Sequence, residues 1–296
     1  MILTQEQEMI RDSLRDFAQE RLAPFAAEWD RQHTFPAEAL RELGELGALG
    51  MVVPEEWGGA GMDYMSLVLV IEEIAAGDGA TSTIVSVQNS LACGITMKYG
   101  SDEQKETWLK PLARGEMLGC FCLTEPHTGS DAAAISTRAD RDGDHFVLNG
   151  VKQFITTGKY ARVAIVFAVT DKAAGKKGIS CFLVPTETPG YIVARIEEKM
   201  GQRASDTAQI LFENCRVPAS CLLGKEGDGY RIALSNLEAG RIGIAAQSVG
   251  MARAAFEAAV QYAKERETFG KPIIEHQAVS FRLADMATQI DAARLL

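Results

Sequence analysis

The sequence predicts an α+β fold in three parts: an N-terminal all-helical domain, a middle antiparallel β-barrel or sandwich, and the start of a C-terminal helical bundle. Apolar residues recur with a helical period to about residue 117, with a period of two to about residue 218, and with a helical period again after residue 226. No helix long enough for a parallel crossover interrupts the middle part, and no G-x-G-x-x-G motif follows a strand. We therefore predict domains at residues 1–117, 118–226 and 227–296.

Composition excludes several classes of protein. The chain has 296 residues, of which 47% are hydrophobic and 24% charged, as in ordinary globular proteins. A formal charge of −10 argues against a nucleic-acid partner, because no excess of Lys or Arg is present to neutralise phosphates. No apolar run approaches the roughly 20 residues that span a membrane. Six cysteines without zinc spacing and four unclustered histidines predict no metal site, and we expect reduced thiols in a cytoplasmic protein.

The first 117 residues carry helix-start and helix-break signals. Thr4 with Gln7 forms a predicted capping box, and Ser101 with Gln104 forms another. Pro24 is expected to kink or end the first helix, because proline removes a backbone donor. This part is therefore predicted to be entirely helical.

The middle part reads as about seven short strands with turn residues between them. The strongest hairpin signal is Asn149-Gly150, which lies between two apolar stretches. Other strands are predicted at residues 118–123, 163–169, 179–184, 191–196 and 209–212.

The last part predicts two helices. The first runs for about 38 residues to Glu267, or about 57 Å, a length typical of a bundle or a subunit interface. After a break at Gly270 and Pro272, a second helix starts near His276 and keeps its apolar spacing to Leu296 without a stop signal. We therefore expect the chain to be C-terminally truncated and its bundle to be incomplete.

Two segments point to a ligand site. Residues 118–123 form an apolar strand that breaks into a loop of hydroxyls, Pro and Gly, and residues 152–158 again end a strand in an aromatic ring and hydroxyls. Backbone N–H groups and hydroxyls at the mouth of a sheet can hold a polar ring edge or a phosphate. On the first segment alone, an ordinary surface turn is an equal alternative.

Together these segments resemble the flavin-binding signature of the acyl-CoA dehydrogenases. The first has Thr-Glu-Pro from Thr124 and Gly-Ser-Asp from Gly129, and the second has Lys-x-Phe-Ile-Thr from Lys152. Many members carry Trp where this chain has Phe154, so the match supports flavin contact without identifying a subfamily. Residues 237–250 look most like the short-chain and branched-chain members.

The resemblance implies roles for individual residues. FAD would be lined by two sets of residues in this chain and, from a neighbouring subunit of a homotetramer or dimer, by a third. The first set is Phe121, Cys122, Leu123, Thr124, Gly129 and Ser130; the second is Phe154, Ile155 and Thr156; the third is Arg266, Phe269 and Gln277. Ser130, Glu238 and Arg241 would contact the acyl-CoA substrate, although a surface ion pair is an alternative explanation for Glu238 and Arg241.

The implied reaction is the oxidation of a short- or branched-chain acyl-CoA to the trans-2-enoyl-CoA, with electrons passed to an electron-transfer flavoprotein. It requires a carboxylate that removes the α-proton. In most members that Glu lies in later helices, beyond Leu296, and in a minority it stands where this chain has Gly240. We therefore expect no catalytic base in residues 1–296 and little or no turnover by this chain. Alternatives are an acyl-CoA oxidase-like flavoenzyme and a shortened, inactive paralogue that only binds partner subunits.

Overall fold

The structure, a computed structural model, describes residues 2–296 and begins with a helical domain. Its helices are α1 (Gln5–Phe17), α2 (Ala23–Gln32), α3 (Ala37–Glu45), α4 (Tyr64–Gly77), α5 (Gly79–Val87), α6 (Gly94–Tyr99), α7 (Asp102–Gln104) and α8 (Lys110–Ala113). Both predicted capping boxes are present, at Thr4 with Gln7 and at Ser101 with Gln104. The chain does not end its first helix at Pro24. Instead a π-helical segment, Ala18–Leu22, links α1 to α2, and Pro24 falls in the first turn of α2, where no donor is needed.

The middle domain is a sheet whose strands match most of the predicted ones. They are β1 (Gly119–Cys122), β2 (Arg138–Asp142), β3 (His145–Thr156), β4 (Val163–Val169), β5 (Ile179–Pro185), β6 (Tyr191–Ile196), β7 (Thr207–Pro218) and β8 (Leu222–Leu223). Among the described residues the sheet order is β6-β7-β3-β2-β4-β5-β8, and β1 adds to β4. Most neighbouring strands are antiparallel, as predicted.

The predicted hairpin at Asn149-Gly150 is wrong. Strand β3 continues through both residues with a register shift against β7, and the turn lies earlier, at Gly143, which has φ +61° between β2 and β3. Gly150 serves a different purpose, because a Cβ there would lie 2.4 Å from the Thr137 hydroxyl oxygen. Strand β2 escaped prediction since four of its five residues are charged and exposed.

Strand β1 is also an exception to the antiparallel pattern. It pairs in parallel with β4, from Gly119 opposite Val163 to Cys122 opposite Val166. A hairpin of β2 and β3 separates the two strands in sequence, so the chain has room to return in the same direction.

The apolar residues form three cores. Alternate residues of β4 face two of them: Val163 and Ile165 face a core shared with the helical domain, whereas Ala164 and Val166 face the interior of the β domain. This double burial explains why β4 reads as an unbroken apolar run. The third core lies among the N-terminal helices and includes Ala246 from the C-terminal part.

The C-terminal part is helical, as predicted. Helix α9 (Gly229–Glu265) has 37 residues, a short hairpin of β9 (Glu267–Thr268) and β10 (Lys271–Pro272) follows, and α10 (Gln277–Leu295) closes the described chain. None of the helices in residues 2–296 is both long and apolar enough to cross a membrane.

Candidate functional site: a cavity between three domains

Both predicted flavin segments line one cavity of about 350 Å³, which we call the clamp cavity. Its volume falls in the range of small-molecule sites. Its walls come from the end of β1 with the following loop, from the end of β3, and from helical residues that the sequence analysis did not identify. The lining residues are Val87, Leu91, Phe121, Leu123, Thr124, Gly129, Ser130, Phe154, Ile155, Thr156 and Leu237.

The first wall follows from strand alternation. Phe121 and Leu123 point to the cavity side of β1, and Phe121 rests edge-on against Phe167 at a ring-centroid distance of 5.0 Å. Cys122 is a correction to the prediction, because its fully buried side chain points the other way. It packs in the β-domain core with its sulfur 3.8 Å from that of Cys120.

The second wall depends on an irregularity in β3. The register against β7 shifts between Lys152 and Ile155, and in this bulge Phe154 takes a left-handed backbone conformation with φ +58°. The bulge turns the ring out of the sheet, so that 62% of Phe154 is exposed at the cavity. Strained, exposed aromatic residues of this kind are typical of binding sites.

The polar groups on the walls fit a ligand with both donors and acceptors. Across residues 2–296, the hydroxyls of Thr124, Ser130 and Thr156 have no hydrogen-bond partner, and all three line the cavity. The flat apolar rings and branched side chains around them suit an aromatic ring system. The donor set therefore fits an isoalloxazine with its polar edges.

A buried carboxylate supports the turn after the second wall. Asp206 accepts a hydrogen bond from the Lys159 N–H at 2.9 Å, and its carbonyl accepts one from the Thr157 N–H at 3.2 Å. Burial raises the pKa of Asp206 to about 6, against the lowering effect of the Lys159 hydrogen bond. Its Oδ1 atom is buried without a partner in the part of the chain described.

Of the three residues predicted to contact substrate, Ser130 lines the cavity, whereas Glu238 and Arg241 do not. Leu237 of α9 lines the cavity, whereas Glu238 and Arg241 are exposed and, in the described chain, form no ion pair with each other. Gly240 lies one turn beyond Leu237, on the same side of the helix. No Asp, Glu, His or Lys is among the described lining residues, so this set supplies no proton-abstracting group.

The three residues predicted to act across a subunit interface lie apart from the clamp cavity of their own chain. Arg266, Phe269 and Gln277 are exposed and do not line it. Phe269, with φ +53°, stands at the tip of the β9–β10 hairpin and is 96% exposed.

Two other hollows are larger but chemically less suited. One, of about 510 Å³, is an apolar groove between α9 and α10 with few polar groups. The other, of about 400 Å³, holds Glu72 and Glu73 already paired with arginines, including Arg15 and Arg253. Nowhere in residues 2–296 do three His, Cys, Asp or Glu side chains cluster as a metal site would require.

Sequence reasoning also missed a buried ion pair below the cavity. Lys152 and Glu125 are 0% and 3% exposed, and Nζ lies 2.8 Å from Oε1. A lysine inside the apolar run of a predicted strand was the available signal, because Lys is almost never fully buried without a partner. Its partner is 27 residues away, which sequence periodicity cannot indicate.

Known proteins resemble the chain throughout its length. Family models described as acyl-CoA dehydrogenase N-terminal, middle and C-terminal domains match residues 4–116, 120–215 and 227–296. The short-chain specific acyl-CoA dehydrogenase of Rattus norvegicus mitochondria is 48% identical over 294 residues, which are 99% of this chain and 71% of the relative.

Solved structures agree. A chain in a structure of the electron transferring flavoprotein of Acidaminococcus fermentans superimposes with a TM-score of 0.98 at 46% identity, covering 100% of this chain and 78% of that one. A glutaryl-CoA dehydrogenase from Mycobacterium smegmatis in complex with FADH2 gives 0.93 at 41% identity, with coverage of 99% and 74%. This chain belongs to the acyl-CoA dehydrogenase family.

Proposed function

We propose that the chain forms the FAD-binding part of an enzyme that dehydrogenates a short-chain acyl-CoA to the trans-2-enoyl-CoA. The observation that carries this proposal is the clamp cavity, where two flavin-type segments face each other with free hydroxyls. The short-chain preference rests on the similarity to the rat enzyme. The use of FAD rests on the relative whose structure contains FADH2.

In this proposal the walls bind and orient the cofactor and exclude water from it. Phe154 and Ile155 cover one face of the flavin ring, and the hydroxyls of Thr124 and Thr156 hydrogen-bond its polar edges. Ser130, at the open side of the cavity, is shared with the acyl-CoA. When bound, FAD accepts the hydride that leaves the substrate β-carbon.

The general base is proposed to be a Glu outside residues 1–296, since the described lining residues include no carboxylate.

We further propose a homotetramer or dimer in which Arg266, Phe269 and Gln277 reach the neighbouring FAD. Glu238 and Arg241 are proposed as acyl-CoA contacts at the helical side of the cavity.

An electron-transfer flavoprotein is the proposed electron acceptor, on the basis of the similarity to a chain in such a structure. We propose a cytoplasmic location, because all six cysteines are free, as expected in a reducing compartment. The rates at which the two acceptors reoxidise the reduced flavin would distinguish this enzyme from an oxidase. We expect fast reoxidation by the electron-transfer flavoprotein and slow reoxidation by oxygen.

The test begins with purified chain and added FAD. We expect a yellow protein with a band near about 450 nm that binds butyryl-CoA with a change in the flavin spectrum and shows little dye reduction. A colourless protein that fails to bind FAD at saturating concentration would favour the inactive paralogue and reject the proposal. Appreciable dye reduction would instead reject only the proposal that the base lies elsewhere.

A further inference from the structure

The Glu125–Lys152 pair lies where the two walls of the clamp cavity meet. Glu125 directly follows the lining residue Thr124, and Lys152 precedes the lining residue Phe154 by two positions. Between them, the Gln153 N–H donates to the Thr124 carbonyl at 2.8 Å. Any change in the geometry of this pair is therefore transmitted to both walls.

The lysine also holds the first wall directly. Its Nζ donates to the Leu123 carbonyl at 3.0 Å as well as to Glu125 at 2.8 Å. Leu123 is itself a lining residue at the end of β1. One ammonium group on β3 thus fixes both the backbone of the opposite wall and the side chain that follows it.

The carboxylate fixes a third segment. Glu125 Oε2 accepts hydrogen bonds from the Ser136 N–H at 2.7 Å and the Ser136 hydroxyl at 2.9 Å, and Oε1 accepts one from the Thr137 N–H at 2.9 Å. This segment closes the loop that carries Gly129 and Ser130. Burial by itself raises the pKa of Glu125. The Lys152 charge and these hydrogen bonds together outweigh burial and lower the pKa to about 2.

Stability alone is a weak reason for such a pair. Burying two charges has a large desolvation cost, and neutral or apolar replacements of the whole pair often leave a protein equally stable. An apolar side chain at position 152, however, has no donor for the Leu123 carbonyl or the Glu125 side chain. What the charged pair adds is a defined distance between three segments.

We propose that Glu125 and Lys152 are positioning residues that set the separation of the two walls and thereby the affinity for the flavin. This inference rests on the proposed function, because it assumes that FAD occupies the clamp cavity. The pair itself lies beneath the wall residues, is buried in the described chain, and acts through Leu123, Thr124 and Phe154.

The test separates stability from positioning with Lys152→Met and the double variant Glu125→Gln/Lys152→Met. The single variant leaves a buried carboxylate without its cation and is expected to be much less stable. The double variant is neutral, so we expect it to regain much of that stability. We expect its dissociation constant for FAD to stay raised by about tenfold or more, with altered visible circular dichroism of the bound flavin.

A matched control is Val217→Ala, which makes a cavity in the β-domain core at the other end of β3, where Val217 pairs with Phe146. Its FAD affinity is compared with that of the double variant by fluorescence titration, at a temperature at which both are folded. Weaker binding by the double variant alone supports positioning, whether or not its stability recovers. Equal, near-normal affinities overturn it. Failure of the unaltered chain to bind FAD would instead reject the proposed function.

Discussion

Phe154 combines backbone strain with exposure, two features that lower the stability of a residue's native state. Its φ of +58° is rare for a non-glycine residue and costs on the order of 1–3 kcal/mol. Because 62% of the residue is exposed, its ring gains little from packing within the chain. Packing within the chain does not offset the strain at Phe154, whereas a ligand that stacks on the ring would gain binding energy from this conformation.

Replacing Phe154 by alanine should therefore affect binding more than folding. We expect the free energy of unfolding to change by less than about 1 kcal/mol and the FAD affinity to fall clearly. Phe146→Ala is the comparison, since Phe146 is buried against Phe182 and away from the cavity. It should cost about 3–5 kcal/mol. Urea unfolding and FAD titration measure the two effects, and unchanged FAD binding by Phe154→Ala would contradict the stacking role.

Asp206 should give the protein a measurable pH dependence. Its pKa is raised to about 6 in the folded chain, from near 4 when unfolded, because it is buried. The folded state therefore binds the proton more tightly, and this contribution to stability is present below pH 4 and is lost as the pH rises through about 6. Two pH units correspond to roughly 3 kcal/mol at most.

The variant Asp206→Asn removes this titration while keeping an acceptor for the Lys159 N–H. Relative to the unaltered chain, we expect its stability to increase between pH 4 and pH 7 and then to level off. The exposed Asp285 on α10 offers a control as Asp285→Asn. Thermal unfolding across this pH range measures the difference, and parallel curves for Asp206→Asn and the unaltered chain would refute the prediction.

Among individual residues, the sequence indicated those within the two flavin-type motifs. It did not indicate the residues that contact these motifs from elsewhere in the chain. Local strand-to-loop patterns marked the two segments, and the resemblance to the acyl-CoA dehydrogenases implied Leu123, Thr124 and Phe154 within them, all of which line the cavity. Asp206 and the Glu125–Lys152 pair depend on contacts across the sheet, for which a single sequence contains no spacing rule.

Glycines in helix α9 differ in how closely they approach neighbouring helices. A Cβ at Gly250 would lie 2.3 Å from the Glu72 carbonyl oxygen of α4, so the two helices can approach this closely only with glycine there. At Gly240, on the same helix, the nearest atom would be the Ser90 hydroxyl oxygen at 3.7 Å. The same substitution should therefore have opposite effects at the two positions.

Gly250→Ala should destabilise the protein by about 1–3 kcal/mol, because backbone atoms of α4 must move. Gly240→Ala should stabilise it by up to about 1 kcal/mol through its higher helix propensity. Chemical denaturation of the two variants is the measurement. A gain in stability at position 250 would show that α4 and α9 are not packed as described.

Elements were predictable wherever the apolar pattern was strong, as in the helical spacing of α9 and the unbroken apolar run of β4. The error at Asn149-Gly150 arose because the dipeptide favours a turn locally, whereas the longer pairing of β3 with β7 keeps the strand extended. Strand β2 was missed because pairing with β3, rather than its own apolar pattern, makes it a strand.

In the folded molecule, helix α9 of the C-terminal part lies beside the clamp cavity. A carboxylate introduced on this helix therefore tests whether the chain lacks only a catalytic base. Gly240 lies one turn from Leu237, and a Cβ added there would approach no atom more closely than the Ser90 hydroxyl oxygen at 3.7 Å. Gly240→Glu should place a carboxylate near the substrate, and we expect dye reduction with butyryl-CoA to rise clearly above that of the unaltered chain. Gly240→Gln, of equal size but neutral, should not increase it. Equal rates for both variants would reject this placement of a base.

Domain order was accessible from the change of hydrophobic period along the chain, but the meeting point of the domains was not. Val87 and Leu91 come from the helical domain, Leu237 from α9, and the other lining residues from the sheet. Their proximity results from tertiary packing around the core shared by helices and sheet, which local patterns do not encode.

A site assembled from all three domains exists only when the chain is folded, so a bound cofactor would stabilise the folded state. At a free concentration one hundred times its dissociation constant, such a ligand adds about 2.7 kcal/mol to the unfolding free energy. The chain without bound flavin would be less stable, so we expect a cell that is short of flavin to contain less of this protein.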